Sequence, residues 1–144
     1  MLKNSKFTKT FYLKAENGLF IKTDDGQSYD TLAGKFVGLE KREHLDAKGE
    51  KFNLWHLRFA DKDEIYDVSM HVSNELLYLV LKLHACKERL KEQITIKSNG
   101  NGGLNIWDNL GNNIRFENIP LGNKLWKAKV IEDIAQKLNE ICAR

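Results

Sequence analysis

Hydrophobic and polar positions alternate in two neighbouring stretches near the middle of the chain. Between 52 and 60 the odd positions Trp55, Leu57 and Phe59 are large and apolar, while the even positions include His56 and Arg58. After a polar turn at 61–64, the stretch 65–72 repeats the alternation. Successive side chains point to opposite faces of a strand. The two stretches therefore predict an antiparallel hairpin with one apolar and one polar face.

The stretches on the N-terminal side of this hairpin are also β-prone. Residues 31–43 contain Gly34 and Gly38, and glycines inside a strand indicate a bulge or a sharp bend. Asn17-Gly18 separates the short apolar stretches 7–12 and 19–21. Asn-Gly supplies the positive φ angles of a tight turn, so a second hairpin is predicted here.

The hydrophobic period changes to helical spacing after residue 73. Ser73 and Asn74 are suitable N-caps for a helix that carries a wide apolar face over 76–90. A short strand at 94–96 and a hairpin of 104–108 with 114–116 follow. The stretch 126–142 is amphipathic, with its stripe at Ile131, Ile134, Leu138 and Ile141. The stripe has two interpretations. It packs on the rest of the chain, or it forms an interface with a second copy or with a partner protein.

The element order strand, strand, strand, helix, strand, strand predicts the fold class. It is typical of a five-stranded Greek-key barrel of the OB-fold type, with its helix between strands 3 and 4. We expect a mainly β single domain over 1–144, with the barrel at about 30–118, an N-terminal β extension at 5–23 and a C-terminal helix at 126–142. An open sheet with helices on one face gives the same order and is the alternative.

Several motifs resemble those of OB-fold single-stranded DNA-binding proteins of phages and mobile elements. They are Thr31-Leu-Ala-Gly-Lys-Phe-Val-Gly-Leu, Trp55-His-Leu-Arg-Phe-Ala-Asp, Tyr66-Asp-Val-Ser-Met and Ser73-Asn-Glu-Leu-Leu at a helix start. The resemblance covers about residues 30–116 and implies single-stranded DNA binding without sequence preference, in replication or recombination. The last residues are Leu138-Asn-Glu-Ile-Cys-Ala-Arg, so we do not expect the recruitment of partners through an acidic tail that many bacterial members use.

Charge narrows this expectation to a local surface. The chain of 144 residues has a formal net charge of +3, and the first 22 residues carry five lysines and one acid. The remaining 122 residues therefore sum to −1, so affinity for a polyanion must come from a local groove, from aromatic stacking or from the basic N-terminal segment. The partner expected is single-stranded DNA or RNA.

The chemistry-bearing residues favour binding over catalysis. The four histidines lack zinc-site spacing, and no nucleophile elbow or phosphate-binding loop is present, so we expect no enzyme activity, no metal and no cofactor. The sequence has no apolar leader and no membrane-length apolar run, which favours a cytoplasmic protein without a membrane partner. Cys86 and Cys142 lie on amphipathic stretches and are expected to be buried thiols.

The predicted binding face combines cations with flat side chains, as single-strand binding requires. Trp55 shares the phase of the core, whereas Trp107 takes the opposite parity to Leu104 and Ile106, which makes it either a stacking residue or part of a second small core. The candidate nucleic-acid-binding residues are Lys35, Lys41, Arg42, Phe52, His56, Arg58, His71, Lys97, Trp107 and Arg115.

Overall fold

The computed structural model describes residues 9–116 and 122–143. Within them the strands are β1 (Lys9–Glu16), β2 (Leu19–Lys22), β3 (Ser28–Tyr29), β4 (Thr31–Leu45), β5 (Lys51–Asp61), β6 (Glu64–Met70), β7 (Gln93–Ser98) and β8 (Leu104–Trp107). The helices are α1 (Asn74–Ala85) and α2 (Lys124–Cys142), and a 3₁₀ turn covers Lys87–Arg89. The prediction of a mainly β fold with two helices is confirmed.

All eight strands belong to one curled, open sheet in the order β3-β2-β1-β6-β5-β4-β7-β8. The curl brings the turn after β1 against the loop between β7 and β8, although these strands are far apart in the sheet. At Gly18 in that turn, an added Cβ would lie only 3.0 Å from the carbonyl oxygen of Gly103. Gly18 also has a φ of 75°, so both its backbone conformation and its surroundings favour glycine.

The sheet has more strands than the predicted five-stranded barrel, and it stays open where the barrel would close. Strands β4–β8 follow the predicted order around α1, and β4 pairs with both β5 and β7. A closed five-stranded barrel would then require β6 to pair with β8. Instead β1 lies parallel to β6, with Lys9 opposite Glu64 and Lys14 opposite Ser69. The N-terminal strands are thus part of the sheet rather than an extension beside it.

A bulge in β4 decides which of its side chains face the helices. Leu32, Gly34 and Phe36 are buried before the bulge, and Leu39 is buried after it. The register with β5 shifts between Phe36 and Gly38, and Gly38 has a φ of 144°. One extra residue in a strand reverses the alternation. The bend predicted from the glycines is therefore present, and it exchanges the two faces of β4.

The helices cover one face of the sheet. Ser73 caps α1, accepting a hydrogen bond from the backbone N–H of Leu76 at 3.1 Å. The helix ends at Ala85 rather than continuing to residue 90, and the 3₁₀ turn brings Leu90 back into the core. The predicted hairpin of 104–108 with 114–116 is reduced to a single bridge between Trp107 and Asn113.

Helix α2 packs on β4 and α1 and buries its apolar stripe within the chain. Ile131, Ile134 and Leu138 are part of the core, and Ile141 is half-buried. The Asn139 amide donates to the carbonyl of Leu39 at 2.7 Å and accepts from its N–H at 2.9 Å. Of the two interpretations of the stripe, the structure supports packing on the rest of the chain. In the described ranges, neither helix has the length and apolarity needed to cross a bilayer.

Candidate nucleic-acid interface

The sheet face opposite the helices, hereafter the outer face, holds most of the predicted binding residues. The side chains of Trp55, Leu57 and Phe59 lie in the core, so the even positions of β5 lie on the outer face. Through the register, the same face continues onto neighbouring strands. The predicted residues on it are Lys35, Arg42, Phe52, His56, Arg58, Lys97 and Trp107, with His71 just beyond the end of β6.

A hydrogen-bonded chain of three side chains lies at the centre of the outer face. Asp67, whose side chain is only 3% exposed, is 2.6 Å from Nδ1 of His56, and Nε2 of His56 is 2.8 Å from Nε2 of His44. The carboxylate accepts from Nδ1 of His56, and one of the two Nε2 atoms donates to the other. The two imidazole centroids are 5.0 Å apart with 13° between planes, as expected for rings joined edge to edge by a hydrogen bond.

Two arginines approach the same carboxylate. Arg42 donates from Nη1 to Oδ2 of Asp67 at 3.3 Å and from Nε to Glu40 at 2.6 Å. The hydrogen bond to Glu40 and the nearby Asp67 raise the pKa of Arg42, which is therefore a permanent cation. Nε of Arg58 is 4.0 Å from Asp67 and has no hydrogen-bond partner within the part of the chain that the structure describes, although that atom is buried. The Arg58 side chain as a whole is 42% exposed.

A row of flat side chains runs beside these cations. Phe52 lies opposite His44 in the register, with centroids 5.6 Å apart and 28° between planes. On the other side of Phe52, His71 has its centroid 6.2 Å away and its plane tilted by 24°. His71, Phe52 and His44 thus form a continuous row of rings, of which His71 is exposed and the other two are half-buried.

Trp107 lies in a shallow groove on a more distant part of the outer face. The groove has a volume of about 430 Å³ and is lined by Gln93, Thr95, Trp107, Asp108, Asn109 and Gly111. Trp107 is half-buried. It is thus partly exposed, as a stacking residue would be, and partly packed, as part of a small core would be. Lys35 joins this groove to the arginines, because it pairs with Ala60 of β5 on one side and with Gln93 of β7 on the other. Lys97 and Arg115 are exposed near the groove.

Lys41 lies on the opposite side of the sheet from the other candidates. Its amino group pairs with Glu132 of α2 and lies 6.0 Å from the ring centroid of Trp55 in the core. Adjacent residues of a strand point in opposite directions, so Lys41 and Arg42 cannot share a face. Lys41 therefore connects β4 to α2.

Two residues of the outer face were not predicted from the sequence as part of the site. Asp67 was expected only on the polar face of the predicted strand 65–72, and His44 was considered only as one of four histidines without zinc-site spacing. The alternation did place Asp67 on the same face as His71, but the contact with His56 and His44 depends on the register across three strands. Within residues 9–116 and 122–143, no cluster of three or more His, Cys, Asp or Glu side chains is arranged to hold a metal ion.

The chain has no match among protein-family models, curated proteins or solved structures. The outer face itself is therefore the basis on which a function can be proposed.

Proposed function

We propose that the outer face binds single-stranded nucleic acid without strong sequence preference. The observation that carries the proposal is the row of rings formed by His71, Phe52 and His44, which runs beside Arg42 and Arg58 on an open sheet. Bases of any sequence can stack on flat side chains, while guanidinium groups pair with phosphates. This role is one of binding rather than catalysis and needs no cofactor.

The charge on this face supports a local mode of binding. Arg42 and Arg58 are offset by Glu40 and Asp67, so stacking contributes a large share of the affinity around the row of rings. Lys35, Lys97 and Arg115 extend the cationic track toward Trp107, whose ring adds a further stacking surface. The resemblance to single-stranded DNA-binding proteins agrees with this use of the sheet, and it suggests a cytoplasmic role in replication or recombination.

Fluorescence anisotropy of a labelled oligothymidine, measured at low salt, tests the proposal. We expect binding that is weaker for duplex DNA of equal length. Phe52→Ala should weaken oligothymidine binding by about 1–3 kcal/mol, the usual loss for one stacked base. Leu45→Ala is the matched control, because Leu45 is also on β4–β5 but is 65% exposed at the strand end. No binding at low salt, or equal affinities for both variants, would contradict the proposal.

The salt dependence of binding tests the arginines separately. For a single strand, each phosphate that the protein no longer neutralises should reduce the slope of log K against log salt by about 0.7. We expect this reduction in Arg58→Gln but not in Lys48→Gln, since Lys48 is exposed in the turn between β4 and β5. An unchanged slope in Arg58→Gln would remove Arg58 from the phosphate-binding role.

A further inference from the structure

A cavity of about 370 Å³ lies where the N-terminal strands curl toward the start of β4. Leu13, Phe20 and Leu32 in its walls are core residues. The cavity therefore lies on the core side of the sheet, whereas the row of rings is on the outer face. The cavity falls within the size range of small-molecule sites, and such sites occur in the mouths of β-barrels. Its lining consists of Phe11, Leu13, Phe20, Lys22, Tyr29, Thr31, Leu32, Ala33, Asp61 and Tyr66.

Aromatic rings form much of the cavity wall. Phe11 and Tyr66 stack with their centroids 5.6 Å apart and 19° between planes. Phe20 is buried, whereas Tyr29 is 40% exposed on the short edge strand β3 and so stands at the mouth. Flat walls of this kind favour a flat occupant, because aromatic rings gain most when they pack face to face with an offset or edge to face.

The cavity offers both a hydrogen-bond donor and an acceptor. The amino group of Lys22 is 3.8 Å from Asp24 and 3.7 Å from Asp25, which is longer than a hydrogen bond, so its donors remain available. The carboxylate of Asp61 provides the acceptor. The Tyr66 hydroxyl is already bonded to Glu64, and this bond, with burial and the charge of Asp61, raises the pKa of Tyr66 to about 12.

The charges around the cavity argue against an anionic occupant. Lys9, with its amino group 4.8 Å from the Phe11 ring centroid, and Lys22 are the cations here. The carboxylates of Asp24 and Asp25 lie beside Lys22, Asp61 is in the lining, and Glu64 is bonded to Tyr66, so the surroundings carry no excess of positive charge. An aliphatic chain would leave the donor and the acceptor unpaired. A neutral, flat ring that carries hydrogen-bond donors and acceptors on its edge can pack on the aromatic walls and form hydrogen bonds with the polar groups at the same time.

We propose that this cavity accepts one unstacked nucleobase. The inference rests on the proposed function and adds to it a second site on the same chain. Strand β1 links the two sites, because Phe11 and Leu13 line the cavity while Tyr12, between them, is exposed beside Asp67 in the register. By this proposal, a strand that leaves the outer face inserts one of its bases past Tyr29, which stands at the mouth of the cavity.

The test compares oligothymidine with an oligomer of equal length in which every base is absent. Tyr29→Ala removes the ring at the mouth. We expect this variant to weaken oligothymidine binding by about 5- to 150-fold, as the loss of one stacked base does, without changing binding of the abasic oligomer. Tyr29→Phe keeps the ring and should bind as the unmodified chain does.

The outcomes separate this inference from the proposed function. Full oligothymidine affinity in Tyr29→Ala would overturn the cavity site while leaving the outer face intact, and so would an equal loss of affinity for the two oligomers. If the unmodified chain does not bind oligothymidine, free thymidine followed by NMR decides the matter. Shifts of the Tyr29 and Phe11 ring protons would support the cavity site, and their absence would overturn it.

Discussion

Replacing the buried Asp67 carboxylate by an amide tests the hydrogen-bonded chain on the outer face. Asp67→Asn preserves the shape of the side chain and one acceptor oxygen, so His56 can still donate to it. The negative charge is lost, and the new amide N–H₂ faces the guanidinium of Arg42, donor against donor. The chain from Asp67 through His56 to His44 then keeps its first hydrogen bond but loses the negative charge that strengthens it.

The expected cost follows from the contacts of Asp67. A hydrogen bond to a charged group contributes about 1.5–3 kcal/mol, against about 1 kcal/mol for a neutral one. The variant therefore loses part of the bond from His56 and all of the bond from Arg42. Because the Arg42 side chain is 37% exposed, solvent screens that second contribution. Together we expect a loss of about 2–3 kcal/mol in the free energy of unfolding.

Urea unfolding followed by circular dichroism measures this loss. With a slope near 2 kcal/mol/M, the midpoint should fall by roughly 1–1.5 M without a change of slope. Asp24→Asn is the matched control, because Asp24 is 70% exposed and 3.8 Å from Lys22. It should change stability by less than about 0.5 kcal/mol. If Asp67→Asn unfolds at the same urea concentration as the control, the hydrogen-bonded chain does not stabilise the fold.

Three further expectations concern other parts of the chain. Asn139→Ala leaves the N–H and carbonyl of Leu39 without their partner and should lower the unfolding free energy by about 1–3 kcal/mol in urea titrations. Burial raises the pKa of the Cys86 thiol to about 11, so iodoacetamide should label the native chain slowly and Cys142 before Cys86, as peptide mass spectrometry can show. Backbone N–H groups, first that of Asn112, lower the pKa of Asp108 below its ordinary value of 3.8. The ionised carboxylate of Asp108 therefore stabilises the fold fully above the ordinary pKa, and this stabilisation is lost as the pH falls through the lower pKa of the folded state. Asp108→Asn should accordingly flatten the acid limb of the curve of stability against pH.

The sequence was most informative where contacts are local. Alternation over β5 and β6 predicted both strands and the residues of each face, because period and turn act within a few residues of one another. The same holds for the cap of α1 at Ser73 and for the turn at Asn17-Gly18, both of which take the predicted conformations. Helix α1 ended early, at Ala85, because packing of Leu90 required a change of direction that the apolar pattern does not encode.

The sequence pattern could not predict the pairing of strands that are far apart along the chain. The parallel pairing of β1 with β6 joins segments that are more than 50 residues apart, and no period or turn signals it. Without this pairing, the N-terminal strands would be separable from a five-stranded barrel, and the cavity beside β1–β3 would not form. The hydrogen-bonded chain of Asp67, His56 and His44 has the same origin, because it spans β6, β5 and β4.

The bulge at Gly38 links the fold to the composition of the outer face. Before the bulge, the odd residue Lys35 lies on the outer face; after it, the even residues Arg42 and His44 do. Without the extra residue, the even positions of β4 would face the core along the whole strand. Arg42 and His44 would then face α2, and Lys41 would face solvent. The net charge of the chain would be the same in either arrangement. What makes the outer face a candidate interface is therefore the phase of β4, which one glycine with positive φ sets, rather than the number of basic residues in the sequence.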